Sequence, residues 1–250
     1  MSSISAKILK SVIHYLSVPL SSIINDSIEQ GIFPDVLEQA SVTPSFKAGS
    51  EKETKNYRPI SVLPLLSKVF ERCIYCRLVA FLSENNVLSD HQYGFRKGRN
   101  TSDALIGVIE YIYKQLNQKK HTVGISLDFS KAFDTVSHDI LLRKLFEYGI
   151  RKVVHSWFRS YLANRTQRVR LDDCFSEFKL IKSGVPQGSI LGPVLFLVYI
   201  NDLPNVSSTA EFTLFADDAT LTVSHHDNVV MTNETNSILS LVHEWTLNNA

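Results

Sequence analysis

The chain has 250 residues, of which 44% are hydrophobic and 20% charged. That is a globular balance, long enough for a sizeable core, and it excludes disorder. Three cysteines, at 73, 76 and 174, are too few for a disulfide scaffold, and no apolar run approaches the roughly 20 residues of a membrane span. The net charge of +1 hides a segregation. Residues 41–120 carry 13 Lys/Arg against 7 Asp/Glu, and residues 121–200 carry 11 against 7, whereas residues 201–250 carry 7 acids and no Lys or Arg. A basic body with an acidic end fits a polyanion groove beside a site that needs cations; patchy surface charge is the plainer reading of this feature alone. No basic-then-apolar leader opens the chain, so the expected location is intracellular, with cytoplasm and nucleus both open.

Residues 4–30 read as a helix that Gly31 and Pro34 end, and Val42 to Phe46 as a short strand. The polar stretch 48–58 reads as a surface loop. Leu66, Val69, Phe70, Ile74, Leu78 and Phe81 recur at helical spacing over 65–82. Residues 85–100 are irregular and basic. A further helix covers 102–118, with Leu105, Ile109, Tyr113 and Leu116 on one side. The period then changes. Residues 122–127 alternate like a strand that delivers Asp128 at its end. Ser137 suits the N-cap of a helix to Tyr148, with Gly149 at C′. Another helix covers 152–162, and a hairpin turns at Asp172-Asp173. After the Gly/Pro loop 183–188, Pro193 opens an apolar helix to Tyr199. Strands 212–215 and 220–223 flank Ala216-Asp217-Asp218-Ala219, and a last helix starts near Val229. Mixed strands and helices make the class α+β.

Two acidic elements carry the chemistry. Asp128 ends a strand in LDFSKAFD, and Asp217-Asp218 sit in FADDA between apolar β-type segments. Adjacent carboxylates at a tight turn repel one another, so a cation belongs nearby. Hard oxygen ligands suit Mg²⁺, which takes one or two carboxylates plus substrate phosphates and serves phosphoryl transfer. A solvated hairpin turn is the competing reading for an isolated Asp-Asp pair. SGVPQG (183–188) is a Gly-rich loop before a helix, where backbone can approach a planar or anionic ligand.

Five strings in order change the weight of these features: NYRPISVLPLLSKVFER (56–72), QYGFRKGRNTSDAL (92–105), SLDFSKAFDTVSHDILL (126–142), SGVPQGSILGPVLFLVYINDLP (183–204) and LFADDATL (214–221). With GIFPDVLEQASVTPSFKAG (31–49) they make the chain resemble the reverse transcriptases of non-LTR, LINE-type retrotransposons, nearest the jockey-like and CR1-like branches. The resemblance covers nearly the whole chain. It implies a right-hand polymerase with an N-terminal extension and fingers over 1–120 and a palm over 121–250, together one reverse transcriptase domain from about residue 40. It also implies that the family's thumb, a further lysine-bearing palm motif and an endonuclease domain lie outside these residues. That leaves the activity of this stretch by itself open.

By the same resemblance, Asp128 and Asp217 are catalytic metal ligands, Asp218 is the third carboxylate, and Phe129 lends a backbone carbonyl to the metal. Phe133 is the bulky residue under the sugar that excludes a 2′-OH. Gln187 and Gly188 border the incoming nucleotide, and Lys47 and Arg58 contact its triphosphate. Arg96 and Arg99 match a basic fingers motif, and Arg168 and Arg170, on one side of a strand, are candidates for phosphate-backbone contact. The implied cofactor is Mg²⁺, with Mn²⁺ as a substitute. The implied partners are an RNA template, a DNA primer and dNTPs, with no membrane and an undetermined oligomeric state. The expected activity is RNA-directed DNA polymerisation. The alternatives are a catalytically inactive nucleic-acid-binding remnant and a group II intron maturase-like enzyme, against which SGVPQGSILGP and YINDLP speak. Cys73 and Cys76 lack a second pair, and their helical setting points to packing, not zinc.

Overall fold

The computed structural model describes residues 5–249. Helix α1 (Ala6–Gln30) begins at Ser5, whose Oγ accepts the Ile8 N–H, and ends at Gly31. Gly31 takes φ +69° and closes the last turn, with the Gly31 and Ile32 N–H groups donating to Ile28 and Ser27 carbonyls. Six α-helices follow among the described residues: α2 (Leu65–Glu84), α3 (Thr101–Asn117), α4 (His138–Glu147), α5 (Lys152–Leu162), α6 (Leu191–Ile200) and α7 (Asn228–Asn248). Asn100 caps α3 reciprocally with Asp103.

The strands form two sheets. In the first, β1 (Gln39–Phe46) lies antiparallel to β2 (Tyr57–Val62) and parallel to β4 (Thr166–Leu171), which carries β5 (Cys174–Phe175) and β6 (Lys179–Leu180). In the second, β8 (Asp218–His225) is central between β3 (His121–Asp128) and β7 (Glu211–Phe215), all antiparallel. The first sheet draws strands from both sides of residue 120, so the sequence-based boundary there does not separate the sheets.

The sequence reading extends the loop to residue 58 and has no strand at 57–62. Pro44 and Pro59 obscure the pattern, because proline in a run argues against a strand. The register resolves this by setting Pro44 opposite Pro59. Lys47 N–H donates to the Asn56 carbonyl; alternation from that pair makes Pro44–Pro59 a pair that exchanges no N–H···O bonds, so the β1–β2 ladder loses none, and on the other side the β1–β4 pairing ends at Val42. The sequence also leaves four residues between the last two strands. The structure takes Asp218 into β8 and turns the chain on Ala216 and Asp217 alone. Finally, the α3 stripe does not face inward. Leu105, Ile109, Tyr113 and Leu116 are exposed, and the residues buried on this helix are Ala104 and Gln115.

The core is built around α6. A helix apolar on every face has to be buried all round, and Leu191 and residues 194–200 are all buried. Phe33, Trp157 and Tyr161 pack beside it in edge-to-face and stacked contacts, with Trp157 Nε1 donating to Ser27 Oγ at 3.0 Å. Lys144, also buried, donates to the Tyr199 carbonyl (2.6 Å) and to Asp202 Oδ1 (2.7 Å). Asp202 Oδ1 also accepts from Trp245 Nε1 (3.1 Å), which ties α7 to the end of α6.

The other end of α6 rests on Glu71. This wholly buried carboxylate accepts the Ile190 N–H (2.6 Å) and Leu191 N–H (3.3 Å) through Oε2, and the Ser67 hydroxyl (3.1 Å) through Oε1. It meets N–H groups that a helix leaves unpaired, at the end where negative charge is favoured. Burial raises its pKa above the ordinary 4.5, with the Ile190 and Leu191 N–H groups and Arg165 pulling the other way. The folded chain therefore holds this proton more tightly than the unfolded chain. That contribution is complete below the ordinary value and is lost as pH rises through the folded one. Glu71→Gln cannot titrate, so the stability of the native chain relative to this variant should fall as pH rises above the ordinary carboxylate value in urea unfolding. A rise in relative stability as pH increases would contradict the assignment.

Candidate active site

Three aspartates lie at one end of the second sheet. Asp128 closes β3, and its register partner on β8 is Asp218; Asp217 immediately precedes that residue in the β7–β8 turn. Facing residues of an antiparallel pair project to one side of the sheet, with Cβ atoms about 5 Å apart. Asp128 and Asp218 are exposed, while Asp217 is half-buried. Ala216 beside it takes φ +57°, an uncommon conformation for a side chain with a Cβ. Phe129, the next residue after Asp128, packs edge-on to Trp245 with centroids 6.2 Å apart.

The Gly/Pro loop is pinned to the segment after Asp128. Gly184 N–H donates to Val136 O (2.7 Å), Val185 N–H to Phe133 O (2.8 Å), and Gln187 Nε2 to Asp134 Oδ1 (3.0 Å). Burial raises the Asp134 pKa, and the Gln187 bond and Lys131 oppose that shift. The other side of the loop meets β2, where Ser61 N–H donates to the Gln187 carbonyl at 2.7 Å. Gly188 takes φ +114°, and a Cβ there would lie 2.6 Å from the Ser61 oxygen. A glycine is required on both counts.

Phe133 is half-buried, stacked on Phe196 of α6 (centroids 4.6 Å) and met edge-on by Phe95 (6.3 Å). Two aromatic rings thus pack against it without burying it completely. Phe95 is exposed and takes φ +54°. It escapes a periodicity search because it lies in an irregular stretch; its one signal is an aromatic residue between glycine and arginine.

The basic candidates divide into groups. Lys47 and Arg58 are exposed on the β1–β2 hairpin. Arg58 faces Ser45, two residues before Lys47, so alternation puts both cations on one face. Arg96 and Arg99 are turned inward. Arg96 donates to Ser89 O (2.6 Å), and Arg99 to the carbonyls of Asp90 and Gln92 and to Asp90 Oδ1 (2.6 Å). Arg168 lies between the Phe175 and Phe178 rings, at 4.0 and 4.9 Å, and its Nε is buried without a partner. Arg170 donates to Asp172 O (2.9 Å). The last two lie on the first sheet, apart from the carboxylate strands.

Residues 47–249 match the family model described as reverse transcriptase (RNA-dependent DNA polymerase). The chain belongs to the reverse transcriptase family. It is 36% identical over 192 residues to the probable RNA-directed DNA polymerase from transposon BS of Drosophila melanogaster, covering 74% of this chain and 20% of that protein. To the RNA-directed DNA polymerase from mobile element jockey of the same fly it is 32% identical over 240 residues, covering 92% and 26%. These relatives put it in the non-LTR, LINE-type branch. The chain thus spans between a fifth and about a quarter of their length. Among solved structures, apo telomerase from Candida tropicalis superposes with a TM-score of 0.57 at 11% identity, over 91% of this chain and 52% of that one. This likeness is one of fold alone, the right-hand polymerase fold.

Gly188→Ala tests how tightly the loop is held. A Cβ cannot be placed without breaking the Ser61–Gln187 contact or moving β2, so a loss of about 2 kcal/mol is expected in urea unfolding. An unchanged midpoint would show that the loop is not held against β2.

Proposed function

We propose that the chain is the polymerase core of a non-LTR retrotransposon reverse transcriptase, adding dNTPs to a primer 3′-oxygen opposite an RNA template. The observation that carries this reading is the placement of Asp128, Asp217 and Asp218 at one sheet end. In the reaction an O3′–phosphorus bond forms at the α-phosphate as the bond to the pyrophosphate oxygen breaks. Such a site has to position two substrates and offset negative charge.

The donor set fits a hard divalent cation, Mg²⁺ or Mn²⁺. Among the described residues no three Asp, Glu, His or Cys side chains stand close enough to form a cage by themselves. A cation that completes its shell from substrate phosphates and water does not require one. Asp128, Asp217 and the Phe129 carbonyl are the groups that would hold it, with Asp218 as the supporting carboxylate. When bound, the cation supplies charge neutralisation at the phosphates.

The chain's own groups do the rest. Lys47 and Arg58 face the triphosphate with two positive charges. The loop at Gln187 and Gly188 borders the base, its position set by Asp134 and Ser61. Phe133 fills the space under the sugar, where a ribose 2′-OH would collide with its ring. Arg168 and Arg170 serve the nucleic-acid backbone, whereas Arg96 and Arg99 act by bracing residues 89–92. No helix among the described residues is long and apolar enough to cross a membrane, and the substrates proposed here are all water-borne.

Two outcomes test the reading. Primer extension on an RNA template, with Mg²⁺, should fall by at least about 100-fold in Asp128→Asn and in Asp217→Asn while the unfolding midpoint stays near that of the native chain. Native-level extension by either folded variant would contradict the metal assignment. Phe133→Ala should shift the ratio of kcat/KM values for ribonucleotides over deoxynucleotides by about tenfold, equivalent to ~1.4 kcal/mol. An unchanged ratio in an active variant would leave Phe133 as packing alone.

A further inference from the structure

The turn that carries Asp217 makes a side-chain contact that the polymerase reading does not use. Gln92 is 2% exposed, buried against Ala216. Its Oε1 accepts the Ala216 N–H at 3.0 Å and the Gly94 N–H at 2.7 Å, and its Nε2 donates to the Ala216 carbonyl at 3.4 Å. Two backbone N–H donors converging on one atom identify that atom as the oxygen, so the orientation of the amide follows from its partners.

The segment holding Gln92 is itself anchored. Tyr93 N–H donates to Leu214 O and Leu214 N–H to His91 O, both at 2.8 Å, so residues 91–93 run beside β7 as a short parallel addition. Arg99 holds the Gln92 carbonyl from the other side at 3.2 Å. Gly94 permits the approach: a Cβ there would lie 2.2 Å from the Ala216 nitrogen. The contact is therefore built by several residues and is not a chance meeting of one side chain with a turn.

We propose that Gln92 is a positioning residue for the catalytic carboxylates, clamping the strained Ala216 peptide so that Asp217 is presented in one place. It touches neither the Asp217 carboxylate nor a substrate and acts through the backbone. A two-residue turn with a non-glycine residue at φ +57° has lower-energy alternatives, and each would swing the next side chain. The Ala216 N–H, at 3.0 Å, and the Ala216 carbonyl, at a longer 3.4 Å, both face one buried amide, which disfavours those alternatives. The same strap continues to Phe95, whose ring meets Phe133 edge-on. Residues 92–95 thus hold the carboxylate turn and the wall of the nucleotide pocket in one piece. The inference rests on the metal reading of Asp217 for its functional meaning and on the Gln92–Ala216 contact for its mechanics.

The experiment reads these two parts separately, by amide hydrogen exchange and by Mn²⁺ binding followed by electron paramagnetic resonance. In the native chain the Ala216 amide, although in a hairpin turn, should exchange as slowly as the β7–β8 ladder. In Gln92→Met, which keeps the volume and loses the hydrogen bonds, exchange at Ala216 and Gly94 should quicken by about tenfold or more. Leu195 and Val198 in α6 should keep their protection, and the Mn²⁺ dissociation constant should rise by about tenfold. A merely structural role would not move Mn²⁺ affinity while α6 stays protected. Fast Ala216 exchange in the native chain overturns the clamp without recourse to any variant. So does native protection in Gln92→Met, or quickened exchange there with unchanged Mn²⁺ affinity. Native Mn²⁺ affinity in Asp217→Asn would overturn the metal reading instead, with Ala216 protection still deciding whether the clamp exists.

Discussion

Burying α6 is the constraint on which the rest of the structure depends. A ten-residue helix without a polar face can exist only inside the protein, and its first N–H groups then lose access to water. Glu71 takes two of them, and Lys144 takes the Tyr199 carbonyl at the other end. An uncompensated charge or backbone group in that setting is costly, so each of these buried ions is retained by partners it could not lose singly. With both ends held, α6 becomes a fixed floor. Phe133 stacks on it through Phe196, and the 183–188 loop leads directly into it.

The carboxylates need the opposite environment. They stand at strand ends, Asp128 and Asp218 exposed and Asp217 half-buried, where water offsets the cost of charge. What they borrow from the core is position. β8 is the central strand of its sheet, and Ala219, Leu221 and Val223 are fully buried below Asp218. The turn beyond the paired strands is held from the side by Gln92. Residues from the N-terminal half close the site twice, at Ala216 through Gln92 and at Gln187 through Ser61. The two halves of the chain thus share one site, much as they share the first sheet.

Much of this is legible in the amino-acid sequence, for physical reasons that differ by element. The helices of 65–84 and 152–162 show because their buried faces repeat at 3.6 residues, and β3 shows because it alternates and ends in an acid. Asp128, Asp217 and Asp218 stand out as charges among β-type apolar residues. β2 is hidden by Pro59, whose harmlessness depends on its partner being Pro44. The α3 stripe has the right period but leaves open what it packs against, and it is exposed. Glu71 and Gln92 leave no periodic trace. One is a single acid on a helix and the other a polar residue in an irregular basic stretch, and both matter through backbone groups more than one hundred residues away.

The central claim is that Asp128, Asp217 and the Phe129 carbonyl form a cation site whose shell the nucleotide completes. It is tested most directly by titrating Mn²⁺ against the chain with and without a bound template–primer and a non-hydrolysable dNTP analogue, reading bound metal by paramagnetic resonance. The account predicts weak binding to the protein alone and much tighter binding in the ternary mixture, with the tightening lost in Asp128→Asn. Metal uptake in the ternary mixture that equals the sum of protein alone and nucleotide alone, or that survives Asp128→Asn unchanged, would contradict it.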